Sequence, residues 1–215
     1  MTGLRERQRV SRQNIILEES RQLFRSFDYH PVTIEMIALK AELSQMTVYN
    51  YFGSKGGLLL ALVNQSDQLL VEKIRKHINS NHSDPLESIK KFSFIIIEHA
   101  FSYLDRKTWR HVHSTAILEG HSTFGLGFLK LEKELVKLMC ELVITLESKK
   151  MIKLNDDAMT VANIFYNVHN ARFIEFASDN SISRVQIKKL ISSDFKCLTH
   201  LIIQRAAKST CSHES

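Results

Sequence analysis

Between Ser44 and Phe52 a short segment with helical spacing sets Gln45, Met46, Thr47, Tyr49 and Asn50 on one side and Val48, Tyr51 and Phe52 on the other. Amides pair bidentately with adenine, a methyl group touches thymine, and hydroxyls reach phosphates, so the first set suits a DNA major groove. A merely solvated helix favours Lys and Glu, and Gln45–Phe52 contains neither.

Other reactive residue types form weaker patterns. His99, His111, His113, His121 and His169 include no pair at the His-x-x-x-His spacing that sets two imidazoles on one helical face, so no metal centre is expected. Cys140, Cys197 and Cys211 match no zinc or C-x-x-C spacing, which fits reduced thiols; Cys140 reads as packing, the other two as more accessible. No Gly-rich phosphate loop, G-x-S-x-G elbow or paired carboxylate set is visible, which argues against an enzyme and calls for no cofactor. Asn163, Asn167 and Asn170 form one stripe at i, i+4 and i+7, with His169 and Arg172 close by. Buried, that stripe requires partners such as a bound ligand; exposed, it can bond across a subunit boundary.

The elements that must position these groups are helical. With 7 Gly and 2 Pro in 215 residues the chain is poor in tight-turn residues, which excludes sandwiches and barrels. Apolar residues recur at helical spacing and divide the chain into about nine helices. The first spans about Arg9 to Phe27, with Ile16, Ser20, Leu23 and Phe27 on one face and Leu17 and Phe24 beside them. Thr33, Ser44 and Ser54 read as N-caps of two short helices and of a long one from Lys55 to about His77. Asp84-Pro85 opens a larger helical module, with segments Pro85–Tyr103, Arg106–Leu118, Thr123–Ser148, Asp156–Ala177 and Ser183–Arg205, and a polar turn at Lys149–Asn155.

An apolar share of 44% with 24% charged residues marks a folded globular chain. The longest stretch free of Asp, Glu, Lys and Arg, Ala158 to Ala171, is too short for a membrane helix, and the N-terminus does not read as a secretory signal, so a cytoplasmic location is expected. Half of the net charge of +6 lies in the first twelve residues, where Arg5, Arg7, Arg9 and Arg12 face only Glu6; these read as a mobile basic arm suited to phosphate backbones.

Two short helices separated by Glu42-Leu43-Ser44 and packed under a longer one make a helix-turn-helix. The run Ser11–Val63, above all Thr33-Ile34-Glu35-Met36-Ile37-Ala38 and Leu43-Ser44-Gln45-Met46-Thr47-Val48-Tyr49-Asn50-Tyr51-Phe52-Gly53-Ser54-Lys55, resembles the DNA-binding domain of the TetR/AcrR family. The resemblance implies an all-α fold with an N-terminal three-helix helix-turn-helix domain, residues 1–54, and a C-terminal helical ligand-binding and dimerisation domain, residues 55–215. It implies a homodimer on a palindromic double-stranded operator, most often a repressor, released by a small-molecule effector. The same fold without an effector, or under a protein partner, is the alternative. Within residues 44–55, Gln45, Met46 and Asn50 would face bases, while Thr33, Thr47, Tyr49, Tyr51 and Lys55 would contact or approach phosphates. Asp28 and Glu42 stand where the family commonly has Gly, so left-handed backbone is expected at both.

For the effector site, Phe94, Phe101, Trp109, His113, Phe128 and Phe165 are the candidate walls, with Asn167, His169 or Asn170 orienting a largely apolar ligand. Dimer contact is expected on the stripe Ala158, Val161, Ala162, Phe165, Val168 and on Val185, Leu190, Ile191, Leu198, Leu201, Ile202. The long helix from Lys55 joins both modules, and Gly56-Gly57 reads as a soft joint that alanines would stiffen.

Overall fold

A computed structural model describes residues 2–205; Cys211 lies outside them. Its helices are α1 (Thr2–Phe27), α2 (Ile34–Lys40), α3 (Gln45–Phe52), α4 (Lys55–Ile78), α5 (Pro85–Tyr103), α6 (Arg106–Leu118), α7 (Thr123–Ser148), α8 (Ala158–Ser178) and α9 (Arg184–Ile202). Local chemistry explains the starts. Thr33, Ser44, Ser54, Asp84, Asp105, Ser122 and Asp157 each accept a hydrogen bond from a backbone N–H in the first turn of the helix they precede. Ser183 and Gln186 form a reciprocal capping box at α9, with bonds of 3.2 and 2.7 Å. Cys140 is buried and Cys197 exposed.

α1, α2 and α3 pack together around Ile16, Phe24, Ile37 and Val48, and α4 carries this core into the larger bundle of α5 to α9. Asp28 and Glu42 adopt the expected left-handed backbone, with φ of 73° and 55°. The turn at Glu42 is closed by Leu43 N–H donating to the Ala38 carbonyl at 2.9 Å.

Four expectations are corrected. The basic arm is not loose: α1 continues to Thr2, since Arg and Gln are good helix formers and Arg9 pairs with Glu6 at 3.8 Å. Phe27 is 57% exposed, because the buried line of α1 ends at Phe24 before the turn to α2. The ninth helix stops at Ile202; residues 203–205 form β2 (Ile203–Arg205), antiparallel to β1 (Ile152–Leu154) inside the segment read as a polar turn. Ile152 is buried there, and a three-residue strand shows no periodicity until its distant partner is known.

The fourth concerns the stripes assigned to a dimer. Val161, Ala162 and Phe165 are fully buried within one protomer, as is Ile191. α9 folds back on α8, where the Phe165 and Phe195 rings meet at 5.1 Å and Arg172 clamps Asp194 at 2.6 Å. Ala158, Val168, Leu190 and Leu198 are half-buried, whereas Val185 and Leu201 remain exposed; the Ile202 side chain lies outside the described residues.

Candidate nucleic-acid interface and effector cavity

Val48 anchors α3 against α2, with Leu43, Tyr51 and Phe52 half-buried beside it. Gln45, Met46, Tyr49 and Asn50 are exposed, as is Thr33 at the cap of α2. The Ser44 hydroxyl accepts from Thr47 N–H at 3.1 Å and shares a 2.8 Å bond with the Thr47 hydroxyl, so both side chains first serve the start of α3. Every residue expected to face bases therefore points away from the protein.

Lys55 does something different from its expected phosphate contact. Its ammonium donates to the carbonyls of Tyr29, His30 and Val32 at 3.0, 3.1 and 2.9 Å, and it lies 4.2 Å from the centre of the Tyr29 ring. An ammonium has three protons, and all are spent. Burial accordingly lowers its pKa. Lys55 thus locks the α1–α2 turn to the first residue of α4.

A narrow cavity of about 40 Å³ lies among α4 to α8. Of the predicted walls, Trp109, His113, Phe128, His169 and Asn170 line it. Phe94, Phe101, Phe165 and Asn167 do not. Phe101 packs behind the wall on Phe173 and Phe176, both at 4.8 Å; Phe165 is taken by Phe195, and Phe94 lies beneath Lys188 at 5.4 Å. Asn163 and Asn167 are exposed, since the buried face of α8 runs through Val161, Phe165, Tyr166, His169 and Phe173.

The cavity also contains Asp67, Glu132, Tyr166, Ser66 and His99, which the sequence reading missed. The available signal was a carboxylate at helical spacing inside an apolar stripe: Asp67 follows Val63 and Ser66 and precedes Leu70, and Glu132 sits between Leu131 and Leu135. Glu132 accepts from the Tyr166 hydroxyl and the Asn170 amide, both at 3.1 Å. Burial, then the neighbouring Glu132, pushes the Asp67 carboxyl up to about 7, and burial raises Glu132 despite the Tyr166 bond. His99 takes a bond from the Lys73 ammonium at Nδ1 (2.9 Å) and donates from Nε2 to the Ser66 carbonyl (2.9 Å), a pattern that requires the neutral Nε2–H tautomer.

Two helices connect this cavity to the turn between α1 and α2. α4 places Ser66 and Asp67 in its wall and Lys55 at the α1–α2 turn. α6 turns Trp109 and His113 to the cavity, while its opposite side carries His111, stacked on Tyr29 at 3.7 Å, and Lys107, paired with Asp28 at 3.4 Å. Arg106 and Arg110 fasten α6 to the carbonyls of Asp179 and Ala177, at 2.8 and 2.7 Å. His111→Ala is expected to lower the melting temperature by removing the stack on Tyr29, which thermal denaturation checks; a parental melting temperature would show that the stack adds nothing to stability.

Residues 16–62, from the buried face of α1 into α4, match the family model described as bacterial regulatory proteins, tetR family. By this match residues 16–62 form a DNA-binding domain of the tetR family. That domain supports a DNA-binding transcriptional regulator. A TetR-family regulator from Pectobacterium atrosepticum is similar over 90% of this chain and 95% of its own, at 19% identity and a TM-score of 0.72. A TetR regulator from Haloarcula marismortui is similar over 91% and 100%, at 14% identity and 0.72. A regulator from Saccharomonospora viridis in complex with choline is similar over 90% and 98%, at 16% identity and 0.67. At such identities the likeness extends to the fold. No curated protein sequence matches the chain.

Proposed function

We propose that this chain is a cytoplasmic, ligand-controlled TetR-family repressor that binds a palindromic operator as a homodimer and leaves it when a small molecule occupies the cavity among α4 to α8. The observation that carries the reading is shared ownership: α4 and α6 both wall the cavity and hold the turn between α1 and α2 in the helix-turn-helix domain. A guest that moves either helix reorients α3. Release requires only that the ligand prefer the conformer whose recognition helices are wrongly spaced, and a preference of about a hundredfold corresponds to roughly 2.7 kcal/mol of coupling. The Saccharomonospora viridis regulator with choline offers a precedent for a small guest on a related fold.

In this reading Gln45, Met46 and Asn50 read bases, Thr33, Thr47, Tyr49 and Tyr51 approach phosphates, and α1 lends its arginines to the backbone. The test is titration of an operator selected from random palindromes. Asn50→Ala should cost about 1–3 kcal/mol and relax base preference at one position, whereas Tyr49→Ala should weaken all sequences alike. Parental binding by both variants would remove the assignment of this face.

A further inference from the structure

The cavity holds two carboxyl groups that no protein cation pairs with. Asp67 from α4 and Glu132 from α7 line it, and no Lys or Arg does so among the described residues. Glu132 has two donors, Tyr166 and Asn170. Asp67 is half-buried, and no hydrogen bond reaches its carboxylate among the described residues. Two imidazoles complete the wall. His169, 2% exposed, bonds Ser93 through Nδ1 at 2.9 Å and leaves Nε2 unpartnered at the cavity. His113 makes no hydrogen bond among the described residues and packs between Phe128 and Phe173, each at 5.3 Å. Burial holds both rings neutral, at about 4 for His113 and about 3 for His169, so neither offsets the carboxylates.

Ionised carboxylates without a cation are costly in such a site, and a neutral apolar guest would hold Asp67 protonated and without a partner. An anion would meet like charge. A hydrated metal ion requires a shell of oxygens, whereas Trp109, Phe128, Tyr166 and Phe173 give the cavity aromatic walls. Aromatic faces and carboxylates together favour a soft cation with alkyl substituents. We propose that this cavity selects a compact organic ammonium ion, its charged head between Asp67 and Glu132 and its alkyl part against Trp109, Phe128 and Phe173.

The proposal rests on the cavity being the effector site, and it predicts a pH dependence. Around the cavity Asp67 meets Glu132 of α7, His99 of α5, His113 of α6, and Tyr166 and His169 of α8, while Lys73 of its own helix is bonded to His99. A cation favours ionised carboxylates and so lowers the raised pKa of Asp67. Binding therefore releases protons near neutral pH and tightens as pH rises from about 6 to about 8.

The test uses the full chain with choline, tetramethylammonium and butylamine, against 3,3-dimethyl-1-butanol, the neutral analogue of choline. Thermal shift and calorimetry should show at least about tenfold tighter binding of an ammonium ion than of the alcohol. Asp67→Asn should erase that preference while its ligand-free melting temperature equals or exceeds the parent's, which separates lost recognition from lost folding. Equal binding of choline and the alcohol, an unchanged preference in Asp67→Asn, or no response to any of the three ions would overturn the proposal. If the alcohol binds equally and still releases operator DNA, the cavity remains the effector site and only cation selection falls. If an ammonium ion binds through Asp67 but leaves operator affinity unchanged, cation selection stands and the regulatory reading falls.

Discussion

Replacing Gly57 by alanine is expected to abolish tight operator binding and lower stability, while the same change at Gly56 leaves both intact. A Cβ on Gly57 would stand 2.1 Å from the carbonyl oxygen of Phe52, the last residue of α3. That contact is with backbone, so no rotamer relieves it, and the end of the recognition helix must shift. A Cβ on Gly56 would meet only the Ser54 hydroxyl, at an ordinary 3.7 Å. Gly56→Ala should therefore stabilise α4 by up to about 1 kcal/mol through helix propensity. Gly57→Ala should cost about 1–3 kcal/mol as overpacking and weaken operator binding by more than tenfold. The two glycines are thus not the uniform soft joint their spacing predicts: one is replaceable, the other lets α3 and α4 approach. Parental melting temperature and DNA affinity in Gly57→Ala would refute this.

Ala171→Arg is expected to convert the protein to monomers and drop operator affinity toward its non-specific level, on the order of a thousandfold. The exposed line on α8 runs through Thr160, Asn163, Asn167, Ala171 and Ile174, at the 3- and 4-residue spacing of a helix-packing seam. Its residues are small or uncharged, and Ile174 is 39% exposed, an apolar side chain facing water in one protomer. Closing this seam two-fold against a second copy would place paired recognition helices on one operator. A guanidinium at its centre would be buried without a partner. Ala171 is exposed in the protomer, so the fold should survive, which circular dichroism checks alongside sedimentation. A dimer that persists in Ala171→Arg would exclude this face.

What the sequence determined about this protein is what short-range chemistry determines. A hydroxyl or carboxylate that caps a helix acts within about three residues, so the starts at Ile34, Gln45, Lys55, Pro85, Arg106 and Thr123 were legible, and so was the outward set Gln45, Met46, Tyr49 and Asn50 opposite Val48. The left-handed turns at Asp28 and Glu42 followed instead from the family resemblance, the family commonly having Gly at both positions. Tertiary structure decided which faces met. A shift of one residue rotates a side chain by about 100° around a helix, so apolar spacing marks an inward side without naming its partner. Phe165 therefore went to Phe195 rather than to a ligand, Asn167 to solvent, and Lys55 to three carbonyls of a turn in place of phosphate. Asp67 and Glu132 each read as a single acidic residue on a long helix, and only the packing of α4 and α7 around a common cavity brought the two carboxylates together. Burial, which raises both pKa values, and the nearness of Glu132, which raises that of Asp67 further, are properties of that packing and of no local stretch of chain.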